Sequence, residues 1–495
     1  MEKQQEDVHI AASSADVALA EVPDQRTELP LAPEQSAEKT TPPSALFSKL
    51  RHLNERLEAL SAFEARGIDR VPPDERQAPS TAGDVQIALL WFGANISCNN
   101  LIVGLYGPML FQLGFLDSAM CAVFGAFLGS LSTAFMAIWG PKTGHRTRYC
   151  CIDGILGGQI LSAVSGGTVS IAVGIVIVNL VCWAIVLFGM KPFQQYERFA
   201  WIPQLLVLFV LIGCAGPQFD ASSVSMGDTA TVAANRLSFL SMCLYVPNSW
   251  SAAASDFFVY YPETTSPVKV ASLTIVGLWL SFSLVYMIGI GLGSGITMNT
   301  PWATAFDTST GALIEAAFEP LHGFGKFCAV MVALGLISNS VPGTYSATMC
   351  AQVLGRAFKA IPRWVWGCVF IIIQLVLGLA GRNSLYTILS NFLALMGYWV
   401  EFMVLIVLME RYIFRRHLGH DWSRLDRAYM PVGMASCTAF LLGWLGAVLG
   451  MYQTWYIGPL AKLANLSDVG VWVGMAFTIV SFPVLRYWEI SKLGR

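Results

Sequence analysis

The sequence predicts an all-α polytopic membrane protein. Three observations predict it: few charged residues, a series of long apolar runs, and positive charge concentrated in alternate loops. Of the 495 residues, 55% are hydrophobic and 13% are charged, whereas about a quarter of the residues in a soluble domain are charged. The mean hydropathy is +0.57. The net charge of −2 implies no basic surface for nucleic acid.

Residues 1–84 are predicted to form a cytosolic N-terminal tail that is largely disordered. They are rich in Glu, Ala, Ser, Pro and Gln and contain no apolar run like that of a signal peptide. One stretch, 47–66, places apolar residues at helical spacing and predicts a short amphipathic helix. Such a helix suits the membrane surface or the cytosolic face of the membrane domain, with a regulatory role as the alternative.

Residues 85–487 are predicted to form a transmembrane domain, followed by a cytosolic tail at 488–495. A helix needs roughly 20 apolar residues to span a bilayer, and the apolar runs supply about twelve such segments. The predicted segments are 85–113, 117–139, 149–164, 168–190, 199–218, 236–260, 268–292, 326–350, 364–381, 384–409, 430–451 and 469–487.

The charges of the connecting loops support this count and orient the chain. With a cytosolic N-terminus, the inner loops hold fourteen Lys or Arg and the outer loops with their flanks hold four. Positive charge is retained on the cytosolic side of membrane proteins, so both termini are expected in the cytosol. The inner loops are 140–148, 191–198, 261–269, 355–363 and 410–429.

The third segment, 149–164, is abnormally short and contains Asp153. Without this crossing, the basic loops at 142–148 and 191–198 lie on opposite sides of the membrane, against the charge rule. The segment is therefore kept as a crossing, strained or partial.

Two segments contain residues that interrupt helices. Segment one carries Gly93 and Asn95 in a stretch rich in Gly and Asn, and segment six carries Pro247 and Asn248 just before Trp250. Because segments one and six correspond when the chain is divided into halves of five, this pairing predicts a five-plus-five inverted repeat followed by two C-terminal helices. Interrupted helices near the midplane build substrate sites in secondary transporters. The alternative is that Gly and Pro are common in membrane helices generally.

Segment eight and Trp250 supply groups that suit a flat, polar ring. Asn339 donates and accepts hydrogen bonds at once, which fits a heterocycle with alternating N–H and C=O groups. Ser340 and Pro342 follow it in the same apolar segment. Trp250 offers a flat apolar face for stacking beside the predicted break. The alternative for the polar residues of segment eight is hydrogen bonding between helices.

Asp256 and Glu401 are the candidates for coupling transport to a proton, since charge inside a membrane is costly and is retained mainly for function. Asp256 ends the interrupted sixth segment, and Glu401 lies within segment ten. Two alternatives stay open: Asp256 caps a neighbouring helix at the cytosolic surface, and Glu401 makes a buried hydrogen bond between helices.

No cofactor, metal site or enzyme is predicted. None of the eleven cysteines forms a CxxC pair, and none of the six histidines lies inside an apolar run. The apolar segments contain no paired carboxylates and no arrangement of nucleophile and base. The expected partners are a small-molecule substrate and the lipid bilayer, without nucleic acid.

Short motifs along the chain resemble, in order, those of the fungal purine-cytosine permeases of the nucleobase-cation-symport-1 family. The resemblance extends from about residue 65 to the C-terminus. The motifs are Arg66–Arg76, Trp91–Asn95, Gly140–Gly144, Tyr196–Arg198, Trp201–Pro203, Asp256 with Val259–Pro262, Gly323–Gly325, Asn339–Tyr345, Asn391–Phe392 and Gly397–Trp399.

The resemblance implies a LeuT-like fold of twelve helices and a plasma-membrane, proton-coupled importer of cytosine or a purine. Some relatives carry vitamin B6 or related heterocycles, which makes another N-heterocycle the alternative substrate. By the same resemblance, the matched substrate contacts are Gly93, Trp250, Asn339, Ser340 and Pro342, with Asn95 in the first motif.

The chain departs from the family pattern at three places. Gly93 replaces a serine, while Ser340 and Gly343 replace two asparagines of the eighth helix. Losing one hydrogen bond to a polar ligand costs about 1–3 kcal/mol. Part of the family's third helix is missing between Arg148 and Gly157. These departures keep a second alternative open, a degenerate paralogue that does not transport.

Overall fold

The structure is a computed structural model. It describes residues 71, 74, 76, 80–143, 164–165, 168, 170–188, 190–353, 358, 361–416 and 431–494. The predicted tail helix at 47–66 and the third segment up to residue 163 lie outside these residues.

The described residues form a helical membrane domain. Seven helices are long and apolar enough to cross a bilayer, and the bent pair α1–α2 adds an eighth. In chain order the helices are α1 (Thr81–Asn95), α2 (Cys98–Met109), α3 (Phe115–Ala137), α4 (Trp139–Thr143), α5 (Ile171–Phe188), α6 (Met190–Ala215), α7 (Thr229–Ser249), α8 (Pro267–Ile296), α9 (Thr300–Thr308), α10 (Thr310–Ala317), α11 (His322–Val353), α12 (Arg363–Gly381), α13 (Leu385–Met409), α14 (Met434–Gly450), α15 (Pro459–Leu463) and α16 (Gly470–Leu493).

Shorter elements connect these helices. Turns of 3₁₀-helix follow α6 at Gly216–Gln218, α7 at Trp250–Ala252 and Ala254–Phe257, and α10 at Glu319–Leu321, and a π-helical turn extends α13 through Glu410–Phe414. Between α14 and α15, strands β1 (Tyr452–Gln453) and β2 (Tyr456–Ile457) form an antiparallel hairpin.

Eleven of the twelve predicted segments coincide with helices, and segment one becomes the pair α1–α2. Segment six becomes α7 with its two 3₁₀ turns, and segments seven, eight and ten become α8, α11 and α13. The last segment extends further than predicted, because α16 continues to Leu493. The count of twelve crossings stays a prediction, since the third segment lies outside the described residues.

Two helices between α8 and α11 were not predicted. Each begins at a polar residue that caps it: the side chain of Asn299 accepts from Trp302 N at 3.2 Å, and that of Ser309 accepts from Ala312 N at 3.1 Å. Such residues are favoured before a first helical turn. The caps therefore were the available signal for α9 and α10.

Glycines allow α2 and α8 to pack with their backbones in contact. A Cβ atom on Gly289 would lie 2.1 Å from the carbonyl oxygen of Leu101, and one on Gly104 would lie 2.2 Å from that of Tyr286. Small residues at helix interfaces permit such close approach in membranes. This contact places the second half of the first broken helix against α8.

Gly289→Ala is expected to lower the thermal midpoint of the detergent-solubilised protein. The added methyl group forces the two backbones apart, and overpacking of this kind costs about 1–3 kcal/mol. The matched control is Gly213→Ala in α6, where an added Cβ meets nothing within 4 Å; it is expected to be neutral or stabilising by up to about 1 kcal/mol. Equal midpoints for the two variants would contradict the close packing of α2 on α8.

Candidate functional site

The first break lies between α1 and α2, whose axes differ by 57°. Asn95 ends α1, and its side-chain amide donates to the carbonyl of Trp91 one turn earlier at 2.8 Å. Asn100, in the first turn of α2, donates to the carbonyl of Asn95 at 2.8 Å. Asn and Ser compete in this way with helical hydrogen bonds, so the polar stretch itself explains why the helix stops here.

The second break follows from Pro247 near the end of α7. Proline has no N–H for the carbonyl of Cys243, four residues earlier, and the hydroxyl of Tyr286 donates to that carbonyl at 3.3 Å. Thr133 donates to the carbonyl of Pro247 at 2.6 Å. After Ser249 the chain continues only as 3₁₀ turns. Both predicted interruptions are therefore present.

A side-chain hydrogen bond joins the two breaks. The indole Nε1 of Trp250 donates to Oδ1 of Asn95 at 2.8 Å. The Trp250 ring is half-buried and lies edge-on to Trp91, with ring centroids 5.8 Å apart and planes at 89°. Phe257 contacts both rings, with its ring centroid 4.7 Å from that of Trp91 and 6.3 Å from that of Trp250. Trp250 thus faces the first break.

Asn339 of segment eight, on α11, also contacts the first break. Its Nδ2 donates to the carbonyl of Ala94, next to the first break. Its Oδ1 accepts from Nδ2 of Asn99 at 3.1 Å, and Ser97 donates to the side chain of Asn99. The structure therefore brings Asn95, Trp250 and Asn339 together, and it adds Asn99, which sequence reasoning did not select.

Ser340 and Asn248 carry unused hydrogen-bonding capacity. Both are buried, and neither the hydroxyl of Ser340 nor Nδ2 of Asn248 has a hydrogen-bond partner among the described residues. Buried polar atoms are normally paired, so each is available to a bound molecule. Gly93 is buried in the last turns of α1.

Pro342 lies inside α11, whose backbone stays helical through this position. Pro342 therefore does not interrupt α11 in the way that segments one and six are interrupted.

The two acids occupy different surroundings. Glu401 is only 5% exposed and accepts from the hydroxyl of Ser132 on α3 at 3.1 Å. This hydrogen bond joins α3 to α13, and a buried hydrogen bond between helices is the alternative that the sequence left open for Glu401. Asp256 is half-buried within the second 3₁₀ turn after α7. The described residues contain no group of three or more His, Cys, Asp or Glu that could hold a metal.

A buried arginine ties the segment before α1 to the rest of the domain. The guanidinium of Arg76 is 8% exposed and donates to the carbonyl of Val71 at 2.9 Å, the carbonyl of Pro141 at 2.8 Å and Oε1 of Glu263 at 3.1 Å. It thereby joins the short helix α4 to the loop that follows the sixth segment. The motif Arg66–Arg76 indicated the family, but nothing in it indicated this burial.

A family model described as permease for cytosine/purines, uracil, thiamine and allantoin matches residues 71–151 and 149–474. The two stretches meet beside the place where part of the third helix is predicted to be missing. The short third segment itself stays a prediction.

Two fungal proteins are similar to the chain over nearly its whole length. The vitamin B6 transporter TPN1 of Saccharomyces cerevisiae is 29% identical over 530 residues, which cover 91% of each chain. The purine-cytosine permease fcyB of Emericella nidulans is 30% identical over 469 residues, covering 89% of this chain and 92% of fcyB.

A solved transporter shares the fold. Mhp1, a nucleobase-cation-symport-1 family transporter in a closed conformation with bromovinylhydantoin bound, superposes with a TM-score of 0.60 at 14% identity, covering 86% of this chain and 95% of Mhp1. Its inward-facing conformation gives a TM-score of 0.51. This likeness confirms the predicted LeuT-like fold.

Trp250→Phe is expected to destabilise the protein by about 1–3 kcal/mol, because the buried Oδ1 of Asn95 loses its donor. The measurement is the thermal midpoint of the purified protein without substrate. Trp488→Phe is the matched control, since that ring is 51% exposed and its loss leaves no described acceptor unpaired. A shift no larger than that of the control would show that the two breaks are not joined by this bond.

Proposed function

This chain belongs to the family of permeases for cytosine/purines, uracil, thiamine and allantoin, and we propose that it imports a nucleobase, such as cytosine or a purine, together with a proton. The protein is a multi-pass membrane transporter and not an enzyme. The proposal places it in the plasma membrane with both termini in the cytosol, as the charges of the loops favour.

The observation that carries the proposal is the meeting of three amide or indole groups at paired helix breaks. Asn95, Trp250 and Asn339 lie within one hydrogen-bonded cluster. A flat heterocycle fits this chemistry because it offers a face to the indole and an edge of donors and acceptors to the amides. When the substrate binds, its hydrogen bonds to these side chains replace some of the hydrogen bonds that the side chains already form within the protein.

The same site supports vitamin B6 as a second candidate substrate. Ser340 stands where the family pattern has an asparagine, and its buried hydroxyl is unpaired in the described structure. A hydroxyl group offers one hydrogen-bond donor where an asparagine amide offers two, which suits a pyridine ring with fewer polar edge groups than a purine. The similarity to a vitamin B6 transporter supports the same candidate.

For coupling, the proposal assigns the proton to Glu401, with Asp256 as the second candidate. A carboxyl group that is 5% exposed and has a hydroxyl as its described partner is expensive to keep ionised inside a membrane. Binding a proton removes that cost, so loading of Glu401 favours the form of the protein that carries substrate inward. No cofactor is required by this scheme.

Trp250→Ala is expected to weaken substrate affinity by roughly tenfold to a hundredfold, since base–aromatic stacking contributes about 1–3 kcal/mol. The measurement is uptake of radiolabelled cytosine, adenine and pyridoxine by a yeast strain that lacks its own permeases. The matched control is Trp488→Ala, whose ring is exposed on α16. Uptake of none of the three compounds by wild-type protein at the cell surface would overturn the proposed substrates, and unchanged affinity in Trp250→Ala would overturn the stacking role.

Glu401→Gln is expected to abolish accumulation of substrate against its gradient while leaving exchange of internal for external substrate. Wild-type uptake should fall as external pH rises, because the proton is the driving ion. A glutamine side chain cannot take up a proton, so the variant should lose this dependence. The control is Glu319→Gln, an exposed acid in the 3₁₀ turn before α11. A variant at Glu401 that still accumulates substrate with the wild-type pH profile would exclude this carboxyl from coupling.

A further inference from the structure

A second buried carboxyl group lies outside the site described above. Asp468, just before α16, is 8% exposed. The hydroxyl of Tyr398 donates to its two oxygens at 2.6 and 2.8 Å, Nε2 of Gln453 donates at 2.8 Å, and the backbone N of Gly470 donates at 3.0 Å. None of its described contacts is a lysine or an arginine. The loop that carries Asp468 is on the outer side in the orientation proposed for the chain.

The surroundings of Asp468 favour binding of a proton at mildly acidic pH. Burial raises the pKa of Asp468 to about 6, against the lowering effect of the hydrogen bonds from Tyr398, the backbone and Gln453. The carboxyl therefore gains a proton as the external medium becomes more acidic than this value. The other titratable groups that face it are the phenols of Tyr398 and Tyr245.

Two buried phenols lie between Asp468 and Glu401. Tyr398 and Glu401 are three residues apart on α13 and hence share a face of that helix. Tyr245 on α7 lies edge-on to Tyr398, with ring centroids 5.8 Å apart. Both tyrosines are almost completely buried, and Tyr245 is within electrostatic range of the carboxyl groups of Asp468 and Glu401. The hydroxyl of Tyr245 has no hydrogen-bond partner among the described residues, so it is available to bond to the hydroxyl of Tyr398 or to the carboxyl group of Glu401.

We propose that Asp468 is the loading site for the coupling proton, and that the hydroxyls of Tyr398 and Tyr245 deliver the proton to Glu401. This inference rests on the proposed coupling at Glu401. A proton from external water binds the Asp468 carboxylate, which then donates it to the Tyr398 oxygen. The Tyr398 hydroxyl, which donates to Asp468 in the structure, turns to Tyr245 once Asp468 is protonated and passes its original proton to the Tyr245 oxygen. The Tyr245 hydroxyl passes its own original proton to the Glu401 carboxylate. One proton moves inward, both phenols end neutral, and Asp468 is ionised again.

The loading site is also attached to the broken helix α7. The backbone N of Asp468 donates to the hydroxyl of Ser238 at 2.9 Å, and the hydroxyl of Ser467 donates to the carbonyl of Ala234 at 3.0 Å. Nε1 of Trp472 donates to the hydroxyl of Ser241 at 2.9 Å. A change of charge at Asp468 therefore acts directly on α7, the helix that ends at Ser249, next to Trp250.

The test compares Asp468→Asn and Tyr398→Phe with wild-type protein in cells that carry a cytosolic pH reporter. Substrate is added at external pH values from about one unit below to about one unit above the Asp468 pKa of about 6. We expect substrate-driven acidification of the cytosol to fall at least about tenfold in both variants, since each removes a proton-transfer group. Substrate affinity, measured by binding to isolated membranes, should be unchanged.

The control is Asp307→Asn, because Asp307 is an exposed carboxylate on α9 outside the membrane helices, and it should behave as wild-type. Fluorescence of a tagged chain at the cell surface checks folding. If Asp468→Asn does not reach the surface, the acidification measured with Tyr398→Phe alone tests the relay. Wild-type acidification in Tyr398→Phe or Asp468→Asn, with acidification lost in Glu401→Gln, would overturn the relay alone. Uptake by wild-type protein without any acidification would instead overturn proton coupling, and the relay with it.

Discussion

A helix that breaks inside a bilayer leaves backbone N–H and C=O groups that water does not reach, and each unpaired group costs several kcal/mol. At both helix breaks of the domain, side chains form hydrogen bonds with backbone groups that the helix leaves unpaired. Amides of Asn95 and Asn339 bond to carbonyls around the first break. Hydroxyls of Tyr286 and Thr133 bond to carbonyls around the second. The polar residues at the centre of the domain are thus required by the fold before any substrate arrives.

This requirement shapes how the site can recognise a ligand. Asn95 bonds to Trp250 while Asn339 bonds to Asn99 and to the carbonyl of Ala94 at the first break, so a substrate bound here as proposed replaces or extends hydrogen bonds that already exist. The net gain in binding free energy is then the difference between two sets of hydrogen bonds. In the proposed site, recognition depends on geometry more than on the number of polar groups, and binding is coupled to the angle at which the two broken helices meet, as alternating access requires.

The breaks were predictable because their cause is local. Pro247 removes a backbone donor wherever it stands, and the Asn- and Gly-rich stretch around Asn95 weakens a helix by composition. The role of Asn339 was predictable only in part: a polar residue in an apolar helix indicates a partner, but the partner, the carbonyl of Ala94, is 245 residues away. Arg76 and Asp468 were not predictable at all. Each stands beside an apolar run, where charged residues normally face water, and only the tertiary structure buries them.

The two C-terminal helices lie outside the inverted repeat, and the loop between them forms hydrogen bonds with helices of the repeat. The helices α14 and α16 pack closely against each other, since a Cβ on Gly446 would lie 2.9 Å from the Cα of Gly474. This close packing restricts the position of one helix relative to the other. From that base, Asp468 bonds to Tyr398 on α13 and to Ser238 on α7. In the proposed transport scheme, this closely packed pair is the reference against which the broken helix α7 and the helix that carries Glu401 move. The proposed coupling of proton binding to helix motion then requires no contact between the carboxyl groups and the substrate.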